Sequence, residues 1–439
     1  MRGIYPTLAT VVVAIAAGVA VVVAPAVLAI VVPLGLGVAL LRALVLAVTD
    51  DERDAARLSG WVAVALVAHL IAGFLGHRFN FAPDTRYYDR AAQELVNHWR
   101  HGYPFQALPF GKEGFIYMVA ALYQVFGHYV PAGVVVNCVF AAATVPVVYD
   151  TTKRLYNVEA ARYVAPLMML PAFLLWTSML LREAATVMLI AIAVNAAVRL
   201  SDRFGAGRFV VMAASLTFLF TFRANVALLL LASILPALAL SRREFLTGLG
   251  TGITVTALVL ILVVGAGVGY SGYKLTSSAS LDQVELNRRA LSQTAASGFS
   301  EGADVSTPKG ALTYLPVGFV NFMFGPFPWQ MRNLRQLLAL PDVLLWFGLM
   351  PALWRGILEG IRMTRRKSLL LLLPAGFTAV MLSLVIGNFG TAVRERIQVA
   401  VIVVPFIALG LARRRTGGAG DGDRDPAARH DELAIPLSL

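Results

Sequence analysis

The residues with chemistry to offer lie at the edges of long apolar runs. Asp84 and Asp89 fall within FNFAPDTRYYDRA, and Arg182-Glu183 is the only charged pair between two apolar runs in LLWTSMLLREAATVML. Arg223-Ala-Asn225 marks the next such connection, and Arg394-Glu-Arg396 closes the short stretch GNFGTAVRER. A carboxylate can take a proton from a reacting hydroxyl, and an arginine fork can hold phosphate bidentately. Each residue also has a local explanation. Pro83 favours an extended Ala82, after which Asp84 could cap a helix beginning near Thr85. Asp89 could pair with Arg86 or Arg90 on its own helix. Arg182 and Glu183 could pair with each other or snorkel to the surface. Charge at membrane depth is costly and usually has a partner or a function, so this last pair is the hardest to explain locally.

The elements that position these residues follow from composition. The chain has 439 residues, 58% hydrophobic and only 14% charged, with a mean hydropathy of +0.72. Soluble domains run at about 45–50% apolar and about 25% charged, which excludes a soluble globular enzyme. The apolar segments are continuous and do not alternate with a period of two, so a β-barrel is excluded as well. The single cysteine, Cys138, allows neither an intrachain disulfide nor a cysteine metal cluster. The net charge of +12 is dispersed in short basic clusters between apolar runs. That pattern orients a protein across an anionic bilayer and implies no nucleic-acid partner. The first apolar run is longer than a signal-peptide core and lacks a small-residue cleavage site, so it is expected to be retained. Phosphate-loop and H-E-x-x-H patterns are absent. The glycines of GLGTGIT and GAGVG read as helix-packing positions.

With about 20 apolar residues needed per crossing, spans are expected near 7–24, 26–48, 59–77, 130–149, 163–180, 184–200, 209–222, 225–241, 249–269, 342–360, 368–387 and 395–412. Clusters such as Lys153/Arg154, Arg242/Arg243, Arg365/Arg366/Lys367 and Arg413/Arg414/Arg415 then share one side, the cytoplasm, with both termini. Two long segments, 78–129 and 270–341, remain on the outer face. Within them 87–100 and 114–127 read as interfacial helices, and 311–328 as re-entrant or interfacial, ending in the aromatic turn Gly325-Pro-Phe-Pro-Trp329. The expected division is 1–58 (two added N-terminal spans), 59–269 (core), 270–341 (outer loop), 342–412 (C-terminal spans) and 413–439 (a polar, disordered tail). Cations in the outer turn before Arg396 run against the orientation bias, and an anionic lipid headgroup would explain them. His98 and His101 have no third ligand nearby, so a metal between them is the lesser reading; metal dependence stays undecided because a single Asp, not a dense carboxylate cluster, is visible.

The order of these motifs resembles the membrane-embedded glycosyltransferases of the GT-C fold, especially the branch of protein O-mannosyltransferases and aminoarabinose transferases. PDTRYYDRAAQELV (83–96) is similar to that family's first acidic outer motif. GKEGFIYMVAALYQVFG (111–127) is similar to its segment before the second core span, and LLREAATVML (180–189) to its later acidic connection. The resemblance covers roughly 59–200. It implies an all-α, GT-C-like polytopic fold of about twelve transmembrane helices with interfacial helices on the outer face. It also implies transfer of a sugar from a polyprenyl-phosphate or polyprenyl-pyrophosphate donor to a hydroxyl on a glycan, lipid or protein acceptor. The setting would be the outer face of a bacterial plasma membrane, in cell-envelope glycan assembly. By the same resemblance Asp84 would be the general base and Glu183 would orient the acceptor or help hold a divalent cation. Asp89 is the alternative base, because Thr85 stands where relatives often carry a second acid. Arg394 and Arg396, then Arg288 and Arg289, are the candidates for the lipid phosphate; Arg182, Arg223, Lys112 and Tyr88 complete the substrate-binding set. An O-antigen-type polymerase is the nearest alternative. A lipid flippase or transporter ranks third, since it would place charge near span centres.

Overall fold

The computed structural model describes residues 25–104, 108–241, 281–294, 297–300, 302–331, 337 and 339–419. The spans expected at 7–24 and 249–269, and the tail from 420 onward, lie outside the described residues. The helices are α1 (Pro25–Val48), α2 (Glu52–Arg78), α3 (Thr85–His101), α4 (Glu113–Phe126) and α5 (Val130–Leu155). Three short ones follow, α6 (Val158–Ala161), α7 (Val164–Leu167) and α8 (Pro171–Ser178). Then come α9 (Glu183–Asp202), α10 (Ala206–Ser241), α11 (Leu281–Thr294), α12 (Pro308–Phe324), α13 (Leu340–Val385) and α14 (Phe389–Ala419).

Among the described residues, seven helices are long and apolar enough to cross a membrane, with an eighth if the pair spanning Val158–Leu167 and Pro171–Ser178, bent by 62°, counts as one crossing. The chain is a multi-pass membrane protein. Two of the seven are double-length: α10 is broken by an extended Arg223 (φ −153°, ψ 84°) and α13 by Thr364 (φ −147°, ψ 64°). At Thr364 the chain doubles back, since the Ser368 hydroxyl donates to the Gly360 carbonyl at 2.8 Å; eight residues of straight helix would separate them by about 12 Å. The halves of α10 and α13 thus correspond to the four spans expected at 209–222, 225–241, 342–360 and 368–387.

The core runs through α14 and α5, whose apolar windows are 94% and 89% buried, whereas α1 and α2 are 22% and 33% buried and face lipid. Close approach of α13 to α14 depends on glycine: a Cβ on Gly356 would collide with the Phe406 carbonyl, and one on Gly410 with the Ala352 carbonyl. Polar interactions gather at the two ends of the bundle. At the end carrying the basic clusters, Lys153 pairs with Asp50 (2.7 Å), Lys367 with Asp202 (2.6 Å) and Arg413 with Glu359 (2.6 Å).

The opposite end is built by α3, α4, α11 and α12. Helix α3 buries Tyr88, Ala92, Leu95 and Val96, one stripe at helical spacing, against Phe115, Ile116, Val119, Ala120 and Tyr123 of α4. With 14 residues, α4 reaches about 21 Å, short of the ~30 Å hydrocarbon thickness. Two boundaries differ from expectation. Helix α2 begins at Glu52 because Asp51 caps it, its carboxylate accepting from the Asp54 N–H at 2.7 Å. Helix α14 begins at Phe389 because the Asn388 side chain accepts from the Thr391 N–H at 2.8 Å. It continues to Ala419, so the expected tail is helical at its start.

Candidate active site

Four helix ends converge here: the segment entering α3, the start of α9, the break in α10 and the first turns of α14. Asn80, left-handed at φ 47°, turns the chain after α2 so that Phe81 packs on Trp176 and Asp84 arrives over the bundle end. Asp84 occupies the position before α3 but has helical backbone angles and makes no side-chain cap. Its carboxylate instead accepts from Arg394 Nη1 at 2.6 Å. Arg394 Nε lies 3.2 Å from Glu183 Oε1, so one guanidinium joins two carboxylates drawn from distant parts of the chain.

Glu183 is the first residue of α9 and is 2% exposed. Beyond Arg394 it is held by Arg223 Nη2 at 2.7 Å. Because Arg223 is the extended residue at the break in α10, its side chain is turned into the bundle, where its other nitrogen donates to Glu395 Oε1 at 2.6 Å. Glu395 was missed by sequence reasoning, which weighed only the arginines flanking it. The signal was there in the alternation Arg-Glu-Arg. On a helix, successive residues point about 100° apart, so Arg394, Glu395 and Arg396 aim at three different neighbours. Arg396 leaves the cluster: it donates to the Phe322 carbonyl at 3.0 Å and to the Gly325 carbonyl, tying down the C-terminal end of α12.

Two cations complete the cluster without a carboxylate of their own among these contacts. Arg182 Nη1 donates to the Gly111 carbonyl at 2.7 Å and the Phe222 carbonyl at 2.9 Å. Gly111 has φ +73° and lies against the Ala224 amide, a conformation and proximity that suit glycine. Lys112 Nζ sits 5.0 Å over the Tyr87 ring, within electrostatic reach of Asp84, Arg182, Arg223 and Arg394. Burial, then the neighbouring Arg182, holds its ammonium below the ordinary lysine value. Tyr88 packs edge-on to Phe115 at 5.0 Å beneath the cluster, and burial pushes its phenol up. Four cations (Lys112, Arg182, Arg223, Arg394) therefore face three carboxylates (Asp84, Glu183, Glu395).

The remaining sequence candidates lie elsewhere. Asp89 accepts from Tyr123 at 2.8 Å and contacts His128 Nε2 at 2.7 Å, so its local partners are not Arg86 or Arg90. Arg288 is fully buried between Glu285, the Ser300 and Ala303 carbonyls and the Tyr314 ring. Arg289 shares Glu285 and is half-exposed. These two arginines do not meet the cluster directly. They tie α11 to residues 297–300 and 302–305, and the backbone of 297–299 grips the start of α14: the Phe299 N–H donates to the Gly387 carbonyl at 2.8 Å and the Phe389 N–H to the Ser297 carbonyl at 3.0 Å. No group of three or more His, Cys, Asp or Glu residues is arranged to hold a metal among the described residues. Within the cluster, Glu183 Oε1 takes the guanidinium contacts, while Glu183 Oε2 is buried without a hydrogen-bond partner.

No family model and no curated protein matches the sequence. The architecture does match solved structures. ArnT from Cupriavidus metallidurans bound to undecaprenyl phosphate aligns with a TM-score of 0.50 at 16% identity, over 81% of this chain and 59% of that one. The apo state of ArnT gives 0.49 at 15% identity, over 82% and 60%. The apo oligosaccharyltransferase of Archaeoglobus fulgidus gives 0.48 at 12% identity, over 82% and 52%. This chain thus spans less than two thirds of the length of those proteins. The fold is that of the GT-C membrane glycosyltransferases.

Proposed function

We propose that this protein is an integral membrane glycosyltransferase that moves a sugar from a polyprenyl-phosphate or -pyrophosphate donor to an acceptor hydroxyl at the outer face of the membrane, in envelope glycan assembly. The observation that carries the reading is the joining of Asp84 and Glu183 by Arg394 at one end of a GT-C bundle, with Arg182 and Lys112 alongside. Placement of the basic clusters at the other end supports an outer-face site. In the reaction, the acceptor hydroxyl gives its proton to the Asp84 carboxylate while its oxygen attacks the anomeric carbon. The bond from that carbon to the phosphate oxygen breaks, and its electron pair leaves with the lipid phosphate. Charge growing on that oxygen is met by Arg394, Lys112 and Arg182. Glu183 and Glu395 act through the arginines they hold. The ArnT structure bound to undecaprenyl phosphate makes a lipid monophosphate the natural first probe.

The test is product analysis with purified protein and a panel of polyprenyl-linked sugars, each offered with glycan, lipid and peptide acceptors. Transfer of a single sugar with release of lipid phosphate or pyrophosphate is expected. Joining of preassembled oligosaccharide units would favour a polymerase, and lipid movement without bond formation a flippase.

A further inference from the structure

The contact that draws Asp84 into the site also occupies one of its carboxylate oxygens, since Oδ2 accepts from Arg394 Nη1 at 2.6 Å. The cluster's pairs are not equivalent in this respect. Arg223 is 3% exposed and its partners, Glu183 and Glu395, are 2% and 10% exposed, so that part is closed to a ligand. Arg182 Nη1 donates to two backbone carbonyls and its Nε is buried. Arg394 is the guanidinium whose partner faces solvent: the Asp84 side chain is 58% exposed, against 18% for Arg394 itself. An arriving anion can therefore compete at the Arg394–Asp84 pair while Arg223 keeps Glu183 and Glu395 in place.

We propose that Arg394 is shared between two mutually exclusive partners, the Asp84 carboxylate in the ligand-free enzyme and the donor's phosphate in the loaded one. Donor binding then releases Asp84 as a base only when a sugar is present to receive the acceptor, and the two substrates bind in a fixed order, donor first. Glu183 makes the exchange possible. Its carboxylate stays 3.2 Å from Arg394 Nε as an ion-pair contact, so the guanidinium keeps a buried anion beside it while its Nη1 changes partner. The inference rests on the glycosyltransferase reading and adds to it a competition between a named carboxylate and the donor headgroup.

The competition is measurable without turnover, through binding of a short-chain polyprenyl monophosphate to the full-length protein in detergent, followed by tryptophan fluorescence. Removing the competitor should help the phosphate: Asp84→Asn is expected to tighten binding about fivefold, the scale of a partly exposed ion pair. The gain should vanish in an Arg394→Gln background. Arg394→Lys, which keeps charge but cannot fork, serves the same purpose if Arg394→Gln fails to fold. Asp89→Asn, on the same helix but held by Tyr123 and His128, should leave the affinity unchanged. Wild-type binding that is indifferent to Asp84→Asn would overturn the shared-partner proposal and leave the glycosyltransferase reading intact. So would equal tightening by Asp89→Asn, or a gain that survives loss of Arg394. Folded wild-type protein that binds no lipid phosphate at all would overturn both.

Discussion

The two ends of the bundle solve the problem of charge in different ways. At the end carrying the basic clusters the ion pairs are loose: Asp50 is 82% exposed opposite Lys153, Arg413 is 54% exposed opposite Glu359, and Lys367 and Asp202 are each about a third exposed. Two of the described acids there are buried: Asp150 between Arg154 and Arg199, also bonded by Asn195, and Asp54, which accepts from Tyr149 beside Arg162. Such half-solvated pairs contribute little to stability, and their value lies in orienting the chain. At the other end Arg223, Glu183 and Glu395 are withdrawn from water and bonded to one another, with Glu183 Oε2 and Arg223 Nε buried and unpartnered. A buried network of that kind offers weak net stabilisation for its desolvation cost. That end is the one at which sugar transfer is proposed.

Three substitutions sharpen or break the contrast, in descending order of effect. Asp84→Asn is expected to lower sugar transfer by roughly 10²–10⁴-fold, the usual contribution of a general base, with an unchanged elution profile and thermal midpoint. Turnover close to wild type would move the base elsewhere. Arg223→Met strands Glu183 and Glu395 without a shared cation, and unfolding in detergent should show a loss of about 3–5 kcal/mol. A loss under about 1 kcal/mol would mean the two ends do not differ in kind. Lys367→Gln, at the opposite end, should change stability by no more than about 1 kcal/mol and leave transfer rates untouched; a large effect on either would erase the distinction.

Several parts of this arrangement were legible in the chain itself. Runs of apolar residues long enough to cross a bilayer are a property of local composition, which is why the expected spans map onto long helices wherever residues are described, except 163–180, which is broken into short helices bent by 62°. The positions of the basic clusters are equally local, and the cost of charge at membrane depth pointed to Arg182-Glu183, whereas Asp84 was singled out by the resemblance of its motif. Helix boundaries were less legible, because Asp51 and Asn388 set them through single side-chain caps.

Partnership was the part that only the folded chain decided. Asp84 could have capped its own helix, since the carboxylate and the free N–H groups are adjacent in any such sequence. It turns instead to Arg394, 310 positions away, because the turn at Asn80 and the packing of α3 on α4 bring the two within reach. The same physics removed Arg288 from the phosphate candidates: a cation finds its nearest acceptors first, and for Arg288 on α11 those are Glu285 on the same helix and the Ser300 and Ala303 carbonyls beyond it. Hydropathy sums over neighbours along the chain, so sequence determines which segments enter the membrane. Ion pairing falls off with distance through space, so the choice of which charges meet waits for the helices to pack.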